Sequence, residues 1–201
     1  TDLCNLDCSY CYRLTKNNAK TATIDKLKEI ADFIAGMSRE KEDKNISVTF
    51  FGGEPLLYPE NIFTTIDYFL SNYQDYTYKF AINTNGTLFT DDILDKINKY
   101  DILLYLSIDG TKNAHDANRK AHDGEGSFEK IEPFLHKINR NVAYIEKVIS
   151  CNNVGSTFSS IKYFYELGFD KFIASPNFTD DWDDKNFAVL KKEYKNLADF
   201  Y

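Results

Sequence analysis

Apolar positions along this chain follow two rhythms. Five short runs are rich in β-branched and aromatic residues: 46–51 (ISVTFF), 78–83 (YKFAIN), 102–108 (ILLYLSI), 142–150 (VAYIEKVIS) and 171–175 (KFIAS). Each reads as a strand. Between them the apolar residues recur with helical spacing. Ile24, Leu27, Ile30, Ala31 and Ile34 share one face of a helix over 24–37. Pro59 sits in the first turn of a helix over 59–73, and Thr90 is placed to cap one over 91–100. Further helices are predicted over 127–139, over 156–167 with Gly168 as its stop, and over 184–201. The strands start roughly 25 to 40 residues apart, the size of a βα unit. This alternation predicts an α/β protein with a parallel sheet. No linker or low-complexity segment interrupts it, so 1–201 reads as one domain.

Every predicted strand runs into a small or polar cluster. The first ends in Gly52-Gly53-Glu54-Pro55, the second in Thr84-Asn85-Gly86 and the third in Asp109-Gly110. The fourth ends in Cys151-Asn152-Asn153 and the fifth in Pro176-Asn177. In a parallel sheet or barrel these ends share one face, where active sites form. Such residues also make ordinary βα turns, but five in succession beside a cysteine cluster point to a site.

That cluster is "CNLDCSYC" at residues 4–11, which holds three of the four cysteines of the chain. Thiolates at that spacing suit zinc or an iron–sulfur cluster. A structural zinc site needs four ligands, and Cys151, His115, His122 and His136 are scattered candidates for the fourth. A [4Fe–4S] cubane held by three thiolates instead leaves one iron open. The clustering does not resemble a secreted disulfide framework and fits a reducing compartment. With 201 residues the chain can bury a real core. Its net charge of −7 argues against a nucleic-acid or membrane-surface partner. No stretch approaches the apolar length of a membrane span, and no signal peptide is apparent.

C-x3-C-x2-C with Tyr10 before its last cysteine, then G-G-E-P and S-x-D-G, resembles the radical S-adenosylmethionine (SAM) enzymes. The contexts "TDLCNLDCSYCY", "FFGGEPLL", "INTNGTL" and "LSIDGTKNAHDANR" are similar to the branch of anaerobic sulfatase maturases and SPASM-type peptide and protein maturases. The resemblance runs along the whole chain. It implies a partial (β/α)6 TIM-like barrel whose first strand lies upstream, the chain being a fragment trimmed from a longer protein. It implies that Cys4, Cys8 and Cys11 hold a [4Fe–4S] cluster, with SAM on the open iron. Reductive cleavage of SAM would give a 5′-deoxyadenosyl radical that takes hydrogen from the substrate.

The same resemblance assigns site residues. Gly52 and Gly53 would let backbone approach SAM and accept from its methionine ammonium, and Glu54 would hold that loop. Tyr10 would pack beside the cofactor, Ser107 would bond the SAM ribose or carboxylate, and Arg119 would bind a carboxylate. Thr84 and Asn85 would line the same mouth. Asp109 reads as a turn former, His115 and Asp116 as a polar lid, and Cys151 as a buried small residue. The acidic stretch 179–187 reads as a solvated helix start, with Phe178 and Trp182 as possible covers of the site. A peptide or protein substrate is expected, with reduced flavodoxin or ferredoxin as electron donor and the cytoplasm as location. No substrate-side acid or base can be named. A small-molecule radical SAM enzyme is one alternative; an iron–sulfur electron-transfer or zinc structural domain without SAM is another.

Overall fold

The computed structural model describes residues 1–12 and 20–201. Five strands form a parallel sheet in chain order: β1 (Asn45–Phe50), β2 (Thr77–Thr84), β3 (Leu103–Ser107), β4 (Ala143–Ile149) and β5 (Phe172–Pro176). Helix α1 (Ile24–Glu40) precedes β1; α2 (Pro59–Asn72) and α3 (Asp91–Lys99) follow β1 and β2. The short α4 (Lys112–Asp116) and α5 (Phe128–Ile131) link β3 to β4. Helix α6 (Thr157–Glu166) links β4 to β5, and α7 (Asp184–Phe200) comes last.

Strand alternation sorts the two faces of the sheet. Ile46, Phe80, Ile82, Leu104, Leu106 and Ile145 point into one buried cluster with Ala31 of α1, Ile66 and Phe69 of α2, Ile97 of α3 and Phe164 of α6. The helices therefore cover one face. On the opposite face Tyr105 of β3 and Tyr144 of β4 stack with ring centroids 4.9 Å apart. The residues after β1 and those at the end of β5 belong to opposite edges of the sheet, yet they line one cavity. The sheet therefore curls round that cavity, as in the partial barrel that the resemblance implies. Among the described residues no strand precedes β1.

Helix starts match the expected capping chemistry. Thr23 accepts from Lys26 N, Thr90 from Ile93 N and Asp183 from Asn186 N. The acidic stretch thus opens α7, as expected. The helix expected over 127–139 is not formed as one element. It breaks after one turn of α5 into a 3-10 turn at Glu132–Phe134. Pro133 has no N–H to give and its ring crowds the preceding turn.

Candidate active site

The cysteine loop lies across the C-terminal ends of the strands, held there by contacts to three of their loops. Asp7 N donates to Lys120 O at 2.7 Å and Ser9 N to Asn118 O at 2.9 Å. The Ser9 hydroxyl reaches Asn118 Oδ1 at 2.7 Å. Asn5, which sequence reading passed over, accepts from Asn85 Nδ2 at 3.0 Å and donates to Thr87 Oγ1 at 2.7 Å. Cys4, Cys8 and Cys11 are free thiols on the wall of one cavity of about 1180 Å³. Gly52, Gly53, Asn85, Ser107 and Arg119 line the same cavity. Burial pushes the Cys8 thiol up to about 11, against the pull of Arg119, and raises Cys4 as well. Thiolates here need a cationic partner. Among the described residues, no three His, Cys, Asp or Glu side chains gather round a point that one metal ion could fill.

The glycine turn after β1 is required by the chain itself. Gly53 N donates to Thr1 O at 2.8 Å and Glu54 N to Leu3 O at 2.7 Å. A Cβ on Gly52 would stand 2.0 Å from Thr1 O, and one on Gly53 2.0 Å from Leu3 O. Gly52 also has φ +153°. The segment leading into Cys4 thus makes a close backbone approach to this turn. Glu54 is fully buried. Its Oε1 accepts from Leu56 N at 2.9 Å and Thr84 Oγ1 at 2.6 Å, and its Oε2 from Asn85 N at 2.7 Å. Burial raises its pKa while these three bonds pull it back. Glu54 holds the turn against the end of β2. Thr84 is buried in that bond and is not part of the cavity wall; only Asn85 is.

Asp109, expected to be only a turn former, is the hub of the site. Its fully buried carboxylate accepts the Tyr10 hydroxyl at 2.5 Å and Val148 N at 3.1 Å, and lies 3.1 Å from Arg119 Nε. Its carbonyl accepts Lys147 Nζ at 2.6 Å. Arg119 is buried, 7% exposed, and its guanidinium sits 5.4 Å from the centre of the Tyr10 ring. Its Nε is off line for a good hydrogen bond and is orphaned. Tyr10 therefore faces Asp109 and Arg119 from inside the cysteine loop. His115 and Asp116 do not form a lid. Asp109 N donates to His115 Nδ1 at 3.3 Å, and Ser127 Oγ donates to Arg119 O at 2.7 Å. That leaves His115 Nε2 to donate to Ser127 Oγ at 2.8 Å, which fixes a neutral ring. Asp116 Oδ1 accepts from Ser127 N and Phe128 N at the start of α5. The sequence signal for all this was the SIDG…HDANR spacing, but nothing in it revealed who pairs with whom.

Deeper in the cavity Ser107 Oγ lies 3.4 Å from Asn83 Oδ1, and Asn83 Nδ2 donates to Glu146 Oε2 at 2.6 Å. Glu146 went unnoticed in the sequence. Cys151 is half-buried beside Asp180 and Asp181 rather than buried, and is not on the cavity wall. Phe178 lines the cavity mouth and is 90% exposed. Trp182 does not cover it: its Nε1 donates to Asn177 O and its ring packs by Ile149, Val154 and Leu190.

The sequence profile of the radical SAM superfamily matches residues 1–150. An uncharacterized protein of Methanocaldococcus jannaschii is 32% identical over 84% of this chain and 57% of its own length. A cysteine-type anaerobic sulfatase-maturating enzyme of Clostridium perfringens is 27% identical over 98% of this chain and 57% of its own. The chain thus spans just over half the length of these relatives. The solved structure of anSMEcpe with bound AdoMet and a Kp18Cys peptide shares the fold, with TM-score 0.85 and 24% identity over 100% of this chain and 57% of that one.

Two outcomes are expected from the buried network. Asp109→Asn leaves Arg119 without its counter-charge and should cost about 3 kcal/mol or more in chemical denaturation; a loss below about 1 kcal/mol would refute the hub. His115 has its pKa pushed down to about 4 by burial, from 6.5. As pH falls the unfolded chain protonates first. The contribution of His115 is therefore complete above pH 6.5 and lost between there and about pH 4. Denaturation midpoints of the wild type should fall through that window more steeply than those of His115→Gln, and parallel curves would contradict the assignment.

Proposed function

This chain belongs to the radical SAM superfamily, and we propose that residues 1–201 are the core domain of an enzyme that modifies a peptide or protein. One observation carries the reading: the three thiols of the C-x3-C-x2-C loop share one cavity wall with the glycine turn, Ser107 and Arg119. The superfamily uses a [4Fe–4S] cluster and S-adenosylmethionine. The residues present fit that group, with three soft ligands, the Arg119 guanidinium and a roomy cavity shared between them. When bound, the pair supplies one-electron reductive cleavage and hydrogen abstraction from the substrate.

Cys4, Cys8 and Cys11 are the cluster ligands in this reading. The backbone of Gly52 and Gly53 accepts the methionine ammonium, while Glu54 keeps the turn in place from behind. Arg119, oriented by Asp109 and Tyr10, offers its donors to the methionine carboxylate. Tyr10 closes the gap between Cys8 and Asp109 and excludes water there. Ser107 donates to the ribose from the strand end. Support for a peptide or protein substrate comes from the relatives named as sulfatase-maturating enzymes. A thioether or formylglycine product is the modification this reading expects. Reduced flavodoxin or ferredoxin as donor and a cytoplasmic site under little oxygen follow from low-potential cluster chemistry. Among the described residues no helix is long and apolar enough to cross a membrane.

Electron paramagnetic resonance of the anaerobically reconstituted, reduced protein tests the reading. A [4Fe–4S]⁺ signal that changes shape on adding SAM is expected. It should survive Cys151→Ser and vanish in Cys8→Ser. A signal indifferent to SAM, or one lost in Cys151→Ser, would favour a closed electron-transfer site.

A further inference from the structure

Glu146 is a charged residue on a strand interior, where the alternation of β4 calls for something that fits a wall. Ala143, Ile145 and Ile149 of the same strand are buried against the helix layer, while Glu146 and Val148 belong to the cavity wall. Register pairs Glu146 with Ser107 on β3 and with Ile173 on β5. Beneath it, Tyr144 stacks on Tyr105. The carboxylate therefore stands at the floor of the cavity, two residues along β4 from that aromatic pair.

Its hydrogen bonds are incomplete. Oε2 accepts from Asn83 Nδ2, whereas Oε1 takes no bond among the described residues. No Lys or Arg among them stands within salt-bridge distance of it. The adjacent Lys147 turns to the other face, where it bonds Asp109 O. Arg119 acts on Glu146 only from a distance and is committed to Asp109. A half-buried carboxylate with one amide donor keeps its second oxygen open to the cavity, and a carboxylate only accepts. Burial raises its pKa accordingly. A purely structural brace for Asn83 would need no charge, because an amide oxygen accepts that bond equally well.

We propose that Glu146 is a ligand-binding residue whose free oxygen accepts hydrogen bonds from a hydroxyl or ammonium group of a molecule held in the cavity. This rests on the functional reading above and adds to it a donor-bearing group at the cavity floor. A carboxylate or phosphate at that place is disfavoured by like charge. The donor has two sources, the ribose of SAM or a serine, threonine or lysine side chain of the peptide substrate.

Glu146→Gln separates the possibilities, since it keeps the Asn83 bond and the shape but removes the charge. Thermal melts and cluster content of the variant should match the wild type. Binding of SAM is read from the cluster resonance during titration. Binding of short synthetic peptides bearing lysine, serine or alanine at one central position is read by their anaerobic calorimetric titration into the SAM-bound protein. A loss of about 10-fold or more in SAM affinity would put the donor on SAM, the size expected for a hydrogen bond to a charged group. Unchanged SAM affinity with a similar loss confined to the lysine or serine peptides would put it on the substrate. Affinities within about twofold for both probes, in a variant with wild-type melting and cluster content, would overturn the proposal while leaving the functional reading intact. A wild type indifferent to both probes would instead overturn the functional reading, and this assignment with it.

Discussion

The site depends on one backbone contact. Residues 1–3 run so close to the turn after β1 that Thr1 O and Leu3 O take hydrogen bonds from Gly53 N and Glu54 N. There is no room for a side chain at either glycine. This contact sets where Cys4 begins, and hence where the thiol-bearing loop crosses the strand ends. Glu54 makes it rigid by spending all three of its bonds on Leu56, Thr84 and Asn85. A buried carboxylate is costly unless satisfied, and here its satisfaction ties β1 to β2 directly beneath the loop.

The far end of the loop is held by a different device. Tyr10, between Cys8 and Cys11, donates a hydrogen bond to Asp109, which also faces Arg119. Neutral His115 orders the backbone on both sides, taking Asp109 N and, through Ser127, fixing Arg119 O. Two buried carboxylates thus fasten the two ends of one loop, each from the C-terminal end of a different strand. The arrangement explains why the cavity can be large and open while its thiols stay in place. It also sets apart Glu146, which fastens nothing besides Asn83.

Much of this was legible in the residues. The strand runs fell within a residue or two of the observed strands, because buried parallel strands are continuous in β-branched and aromatic residues. The thiol triad and the glycine turn were placed together because strand ends must share a face; Ser107 and Arg119 joined them through the family resemblance. What escaped were pairings that no local pattern encodes. Asp109 reads as a turn residue and is one, at Gly110, but its carboxylate is buried by groups 10 and 99 positions away. Thr84 reads as a mouth residue yet turns inward to Glu54. Pro133 was passed over within an otherwise helical pattern, and Glu146 was hidden inside a strand whose alternation looked unremarkable.

The central claim, that close backbone contact at the glycine turn positions the cluster-binding loop, is tested most directly by Gly53→Ala. The added Cβ meets a backbone oxygen, so the segment before Cys4 has to move. Far-UV circular dichroism should report the same helices and sheet, because the core lies on the other face. Cluster affinity, measured as iron and sulfide retained after anaerobic reconstitution and graded chelation, should fall about 10-fold or more, as when the groups supporting metal ligands are removed. Undiminished cluster retention in Gly53→Ala, with a wild-type resonance in the presence of SAM, would contradict the account.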